Sequence, residues 1–213
     1  MGVALVWMLF NFDFKLSVAY IVILFLDYFW FTNDRKVSFP WINKNISQTA
    51  VFIESIAGFG VFLGLTMFFI SGFNTQSLIN VLSSTTPIFA DSVVFTIIGW
   101  GFVIPIIETR FFFGSFFEGI TTYLERRLGR TINPQVLSAS LFFVMTFVGA
   151  TFTLFHLSAK GLSGQALMVT FIFAIISMLL VVRQKSLKGA TIMHILSNTL
   201  ATMASLGLIG GIL

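Results

Sequence analysis

Residues 92–125 read SVVFTIIGWGFVIPIIETRFFFGSFFEGITTYLE. About 20 apolar residues suffice to cross a roughly 30 Å hydrocarbon core. This run is longer, so it reads as a membrane helix that reaches past the bilayer. It is too long and too unbroken for a membrane β-strand, which would alternate over short segments. Within it stand Pro105, Glu108 and Arg110, a helix breaker and two charges that no lipid-facing surface needs.

Working outward, five more apolar runs have spanning length: 16–32, 48–70, 134–157, 164–182 and 189–211. The expected fold is therefore all-α, a polytopic transmembrane bundle of about six helices in one domain, 1–213. Residues 3–12 are apolar but too few to cross; they extend the first helix outward or lie at the interface. The whole chain agrees. Of 213 residues 57% are apolar and 9% charged, with 28 Phe and a mean hydropathy of +0.98. Soluble domains carry about 25% charge. A cytosolic enzyme, a disordered regulator and a nucleic-acid binder are thereby excluded. Cysteine is absent, which removes disulfides, thiolate metal ligands and thiol nucleophiles. A cleavable signal is not expected, because the first apolar run lacks a basic flank.

Local chemistry marks several ends. Asp91 is expected to cap the helix at 92. Asn133 followed by Pro134 reads as a cap plus a first-turn proline, Gly189 lies near the start of the last helix, and SSTTP (83–87) reads as a loop. Pro105 frees a carbonyl one turn back and is expected to kink its helix. Nine basic residues fall in three connections: Arg35, Lys36 and Lys44; Arg126, Arg127 and Arg130; Arg183, Lys185 and Lys188. By the positive-inside rule these face the cytoplasm of a multi-pass cell-membrane protein, with both termini outside. Tyr28, Trp30 and Trp41 flank the first of them, at headgroup depth.

The polar residues within the spans carry the functional information, since a charge at mid-bilayer costs at least ~2.5–3.5 kcal/mol. They are Glu54, Glu108, Arg110, His156, His194 and Asn198. His194 and Asn198 are four apart and share a helix face, as do Phe152 and His156. Depth decides whether they meet. The run 92–125 is ~50 Å long as a helix, so its far end and the start of the next helix stand out in the cytoplasm. Counting back ~33 Å from Asn133 puts His156 ~17 Å below the outer surface, with Glu108 at ~25 Å and His194 ~9 Å in from Lys188. A long hairpin and a hydrated pocket holding Glu108, His156 and the His194–Asn198 face are thus one expectation, with the connection 158–164 drawn partway into the membrane.

A carboxylate beside an imidazole activates water as a general base. A second imidazole and an amide N–H₂ stabilise an oxyanion. Together they suffice for peptide hydrolysis with neither metal nor cofactor. Other readings stay open: hydrogen-bonded packing residues, a zinc site, though no HExxH occurs, or a proton or ion path through Glu54, Glu108 and the histidines.

Three segments carry a family resemblance. Residues 105–114, PIIETRFFFG, resemble the first motif of the CAAX protease and bacteriocin-processing family, whose usual form is a proline-led Glu-Glu-x-x-x-Arg-Gly. Residues 152–156, FTLFH, and 194–198, HILSN, resemble its Phe-x-x-x-His and His-x-x-x-Asn motifs. The resemblance covers about 91–205. It implies an intramembrane glutamic endopeptidase in which Glu108 activates water with His156, while His194 and Asn198 form the oxyanion site. It further implies a membrane-associated peptide or lipidated protein substrate of prenylated CAAX type, with membrane lipids around it. Two positions depart from the pattern. Thr109 stands for the second Glu and Phe113 for the Arg, residues that in the family steady the site or engage substrate. Arg110 is the replacement cation, with Glu54 or Glu108 as its expected partner. Two function classes follow: the endopeptidase, and a degenerate relative used for binding, immunity or assembly with a membrane-protein partner.

Overall fold

The computed structural model describes residues 22, 47–72, 74–83, 93–128, 134–160, 164–184 and 186–209. The expected span 16–32 (apart from Val22), Tyr28, Trp30, Trp41, the first basic loop, the Asp91 and Asn133 caps, and most of the SSTTP loop lie outside those residues. So do residues 161–163 of the expected connection 158–164, whose first three residues are instead the end of a helix. Helix α1, Gln48–Thr66, continues through a wide turn at Met67–Ser71. Helix α2 is Thr75–Ser83. Helix α3 is continuous over residues 93–128, with π-helical stretches at Ile97–Val103 and Thr109–Phe116. Then come α4, Pro134–Lys160; α5, Gly164–Gln184; and α6, Lys188–Ser205.

Among the described residues, four helices are long and apolar enough to cross a membrane. The apolar stretches are Gln48–Ile70, Thr96–Thr121, Ala139–His156 and Gly164–Gln184. The protein is thus an all-α, multi-pass membrane bundle. The expected count of six is corrected at the last helix. It does not run 189–211 but stops at Ser205, where Gly207 adopts φ 71°. The Leu208 N–H donates to Met203 O at 2.9 Å and the Gly207 N–H to Ala204 O at 3.0 Å. That double return is a Schellman stop, and its left-handed residue favours glycine. Nor is α6 as apolar as a lipid-facing helix. It packs on α1, α2, α3 and α5, so little of it has to meet lipid.

Helix α2 was not anticipated. The Asn74 side chain accepts the Ser77 N–H at 3.0 Å, an N-cap, and Leu78, Ile79, Val81 and Leu82 are buried. The α3–α4 hairpin has two long arms, residues 93–128 and 134–160. Helices α1 and α5 run antiparallel, as three contacts in sequence show: Glu54 with Arg183, Gly58 beside Leu180, and Phe62 against Phe173 at 5.7 Å between rings. Phe62, Phe112, Phe113, Phe152, Phe173 and Met193 belong to the main core.

Candidate active site

Pro105 sets the local geometry. Proline has no N–H to give. In the wide turn before it, the Ile104 N–H reaches back five residues to Gly99 O. In that register the next donor, at 105, would serve Trp100 O. Asn198 serves it instead, donating from Nδ2 at 3.1 Å. The carbonyl of Gly101, which an α-helical N–H at 105 would have served, accepts from Thr199 Oγ1 at 3.5 Å. Two adjacent side chains of α6 thus compensate one missing backbone donor. The expected disturbance at Pro105 takes the form of wide turns on both sides. Glu108 ends the short α-helical piece Ile104–Glu108 between them. Such π turns are frequent at functional sites.

Glu108 is 1% exposed. Its Oε2 lies 3.5 Å from His156 Nε2 on α4 and 3.4 Å from His194 Nε2 on α6. Three helices therefore bring these side chains to one carboxylate oxygen. His156 is fixed by its other nitrogen, Nδ1, 2.8 Å from Phe152 O. A carbonyl only accepts, so Nδ1 carries the proton. Neutral His156 then turns the bare Nε2 toward Glu108. Two acceptors facing each other call for a donor between them, either a proton on one of them or a water giving a hydrogen to each.

Aromatic rings wall this group. Phe152 lies 4.3 Å from His156 and 6.0 Å from His194, centroid to centroid. Phe173 lies 4.6 Å from His194, its ring tilted by 51°. Phe113 is fully buried, 5.1 Å from Phe152 and 6.5 Å from His194. Low polarity around a buried carboxylate strengthens each polar contact it makes. Thr109, also fully buried, places Oγ1 2.9 Å from His194 Nδ1. Both positions that depart from the family pattern therefore meet His194, one through a hydroxyl and one through a ring.

The other sequence expectations fall elsewhere. Glu54 does not pair with Arg110. Its Oε1 accepts from Arg183 Nε at 2.9 Å and its Oε2 from Gln184 Nε2 at 3.1 Å. The reason is register: Glu54 lies eight residues, about two helical turns, before Phe62, beside the end of α5. The Arg110 side chain is exposed, on a face of α3 away from buried Glu108. Among the described residues, no group of three His, Cys, Asp or Glu forms a metal-binding set. Sequence reasoning missed Phe173, Trp100 O and Thr199. Nothing in a single sequence distinguishes Phe173 from the other 27 Phe, whereas Pro105 did announce an orphan carbonyl.

Among curated proteins and among solved structures, none matches this chain. A family model does, the one described as type II CAAX prenyl endopeptidase Rce1-like, over residues 89–200. Those 112 residues are more than half of the 213, and they contain Glu108, His156, His194 and Asn198 together. Family membership and the buried Glu–His pairs support a glutamic-type intramembrane protease site in general terms. The chain belongs to the Rce1-like family of type II CAAX prenyl endopeptidases.

Proposed function

We propose that this protein is an intramembrane endopeptidase in which Glu108 and His156 activate a water molecule against a peptide bond of a membrane-associated, CAAX-type substrate. The observation that carries this reading is the single oxygen, Glu108 Oε2, within 3.5 Å of two imidazoles inside an apolar bundle. A water donating to Oε2 and to His156 Nε2 keeps its lone pairs for the scissile carbonyl. As the O–C bond forms, one water proton passes to Glu108. The developing oxyanion takes hydrogen bonds from His194 Nε2–H and from the Asn198 amide hydrogen not given to Trp100 O. Breakage of the C–N bond then returns the proton to the leaving amine. The basic loops face the cytoplasm in this reading, and the peptide enters from that half.

A second reading has one observation behind it: the Glu and Arg of the first motif are both replaced, by Thr109 and Phe113. A binding or immunity protein would tolerate that. The two readings part on turnover. Purified protein in lipid nanodiscs is expected to cleave a farnesylated CAAX peptide, and Glu108→Gln or His156→Ala to abolish cleavage while the far-UV spectrum and elution volume stay unchanged. Cleavage persisting in a purified Glu108→Gln sample refutes the endopeptidase mechanism. Stoichiometric peptide binding without turnover by the unmodified chain selects the second reading.

A further inference from the structure

We propose that Thr109 is a positioning residue that holds His194 with its proton on Nε2, so that the two histidines meet Glu108 with opposite polarity, His194 as donor and His156 as acceptor. The tautomer assignment stands on geometry alone, and its catalytic consequence rests on the endopeptidase reading above.

Six other described threonines (121, 146, 151, 153, 170 and 191) each donate their hydroxyl to the carbonyl four residues back. Thr109 does not. It opens the wide turn Thr109–Phe116, and its Oγ1 lies 2.9 Å from His194 Nδ1. Thr109 is fully buried and His194 2% exposed, so no bulk water competes. A hydroxyl has one hydrogen to give. With the usual carbonyl not taken, Nδ1 is the acceptor within reach of that hydrogen, and accepting it requires a bare Nδ1. The opposite nitrogen agrees: Nε2 faces a carboxylate oxygen at 3.4 Å, an acceptor that draws the proton to Nε2. His156 is fixed the other way round, because its Nδ1 must donate to Phe152 O.

The residue type at 109 therefore decides the polarity. A carboxylate there could only accept, and would require the proton on Nδ1 of His194. Threonine permits a neutral imidazole to keep Nε2–H, the hydrogen an oxyanion needs.

The chain has two histidines, so imidazole ¹⁵N spectra of labelled protein in nanodiscs are assigned by comparison with a His156→Gln sample. His194 is expected to show a bare, hydrogen-bonded Nδ1 and a protonated Nε2. Thr109→Val keeps the shape and removes the hydroxyl, and is expected to shift the tautomer ratio five- to ten-fold toward Nδ1–H. Thr109→Ser is expected to retain the original ratio. In turnover, Thr109→Val should lower kcat by a similar factor with KM unchanged, and serine should restore it. A proton on Nδ1 in the unmodified protein, or a ratio indifferent to Thr109→Val, overturns the assignment. Absence of cleavage in the unmodified protein would refute the enzyme reading and leave the tautomer result to judge Thr109 by itself.

Discussion

Asn198 sits in a motif read as catalytic, yet one of its amide hydrogens is committed to the backbone. It donates to Trp100 O at 3.1 Å, in the place where position 105 would donate were it not proline. The perturbation that separates the two roles is a double-mutant cycle between Asn198→Ala and Pro105→Ala. Asn198→Ala deprives a buried carbonyl of its side-chain donor. Such losses cost about 1–3 kcal/mol in soluble proteins, while hydrogen bonds between membrane helices average about 0.6 and reach about 1.7 kcal/mol. We take about 1–1.5 kcal/mol, since Trp100 is buried. In the Pro105→Ala background the new N–H serves the carbonyl, and the same Asn198→Ala change should cost only a few tenths. The expected coupling is therefore about 1 kcal/mol, well above the ~0.3–0.5 kcal/mol scatter of independent sites. Reversible unfolding in mixed micelles by titration with a denaturing detergent measures it. Activity gives the second readout. If the remaining amide hydrogen stabilises the oxyanion, the double variant regains stability but not kcat. Strict additivity in stability would refute the compensation argument. Recovery of both stability and kcat would refute the oxyanion role of Asn198.

Gly189→Ala, normally favourable in a helix by up to about 1 kcal/mol, is expected to destabilise by about 1–3 kcal/mol. Its Cβ would run into the Gln184 carboxamide, which a lowered unfolding midpoint would report. Glu54→Gln should cost less than about 1 kcal/mol and leave cleavage unchanged, because the pair with Arg183 is largely solvent- or headgroup-facing; a large loss of turnover would contradict its placement away from Glu108. Phe113→Arg alone should destabilise by about 3–5 kcal/mol by stranding a cation among buried rings. Adding Thr109→Glu should recover part of that loss, as unfolding of the single and double variants would reveal.

How far the sequence could be read follows from what hydropathy and spacing measure. The meeting of Glu108, His156 and His194 was legible because helical rise converts residue counts into depth, and three depths agreed. The length of α3 was legible for the same reason. The end of the last helix was not. A run such as SLGLIGGIL is apolar by composition, but Gly207 stops the helix through backbone conformation. The turn pattern of α2, nine residues long, is too short to span, so hydropathy at membrane length does not mark it. The partner of Glu54 depended on the α1–α5 register, which no local pattern encodes. Nor could spacing reveal that Thr109 reaches His194, 85 residues away, since that contact needs both the wide turn after Glu108 and the approach of α6.

Helix α6 is not among the helices apolar enough to span. Five of its polar side chains are matched to what surrounds them, while the buried hydroxyls of Ser197 and Thr202 are not matched among the described residues. Thr191 returns its hydroxyl to Leu187 O. His194 meets Thr109 and Glu108. Asn198 and Thr199 serve the carbonyls exposed by Pro105. Ser205 bonds Ser83 O and closes α6 onto the end of α2. In hydrocarbon every backbone group must find a partner within the protein, so a proline in α3 requires donors from a neighbour. That neighbour cannot then be a lipid-facing helix, because its polar face has to be enclosed. Enclosure by α1, α2, α3 and α5 is what the packing provides. The same enclosure holds His194 against Glu108, so the irregular backbone of α3 and the chemistry of the site have one structural cause. A chain with a regular α3 would not need Asn198 as a donor to its backbone, and α6 would lose one of the bonds that hold its register against the carboxylate.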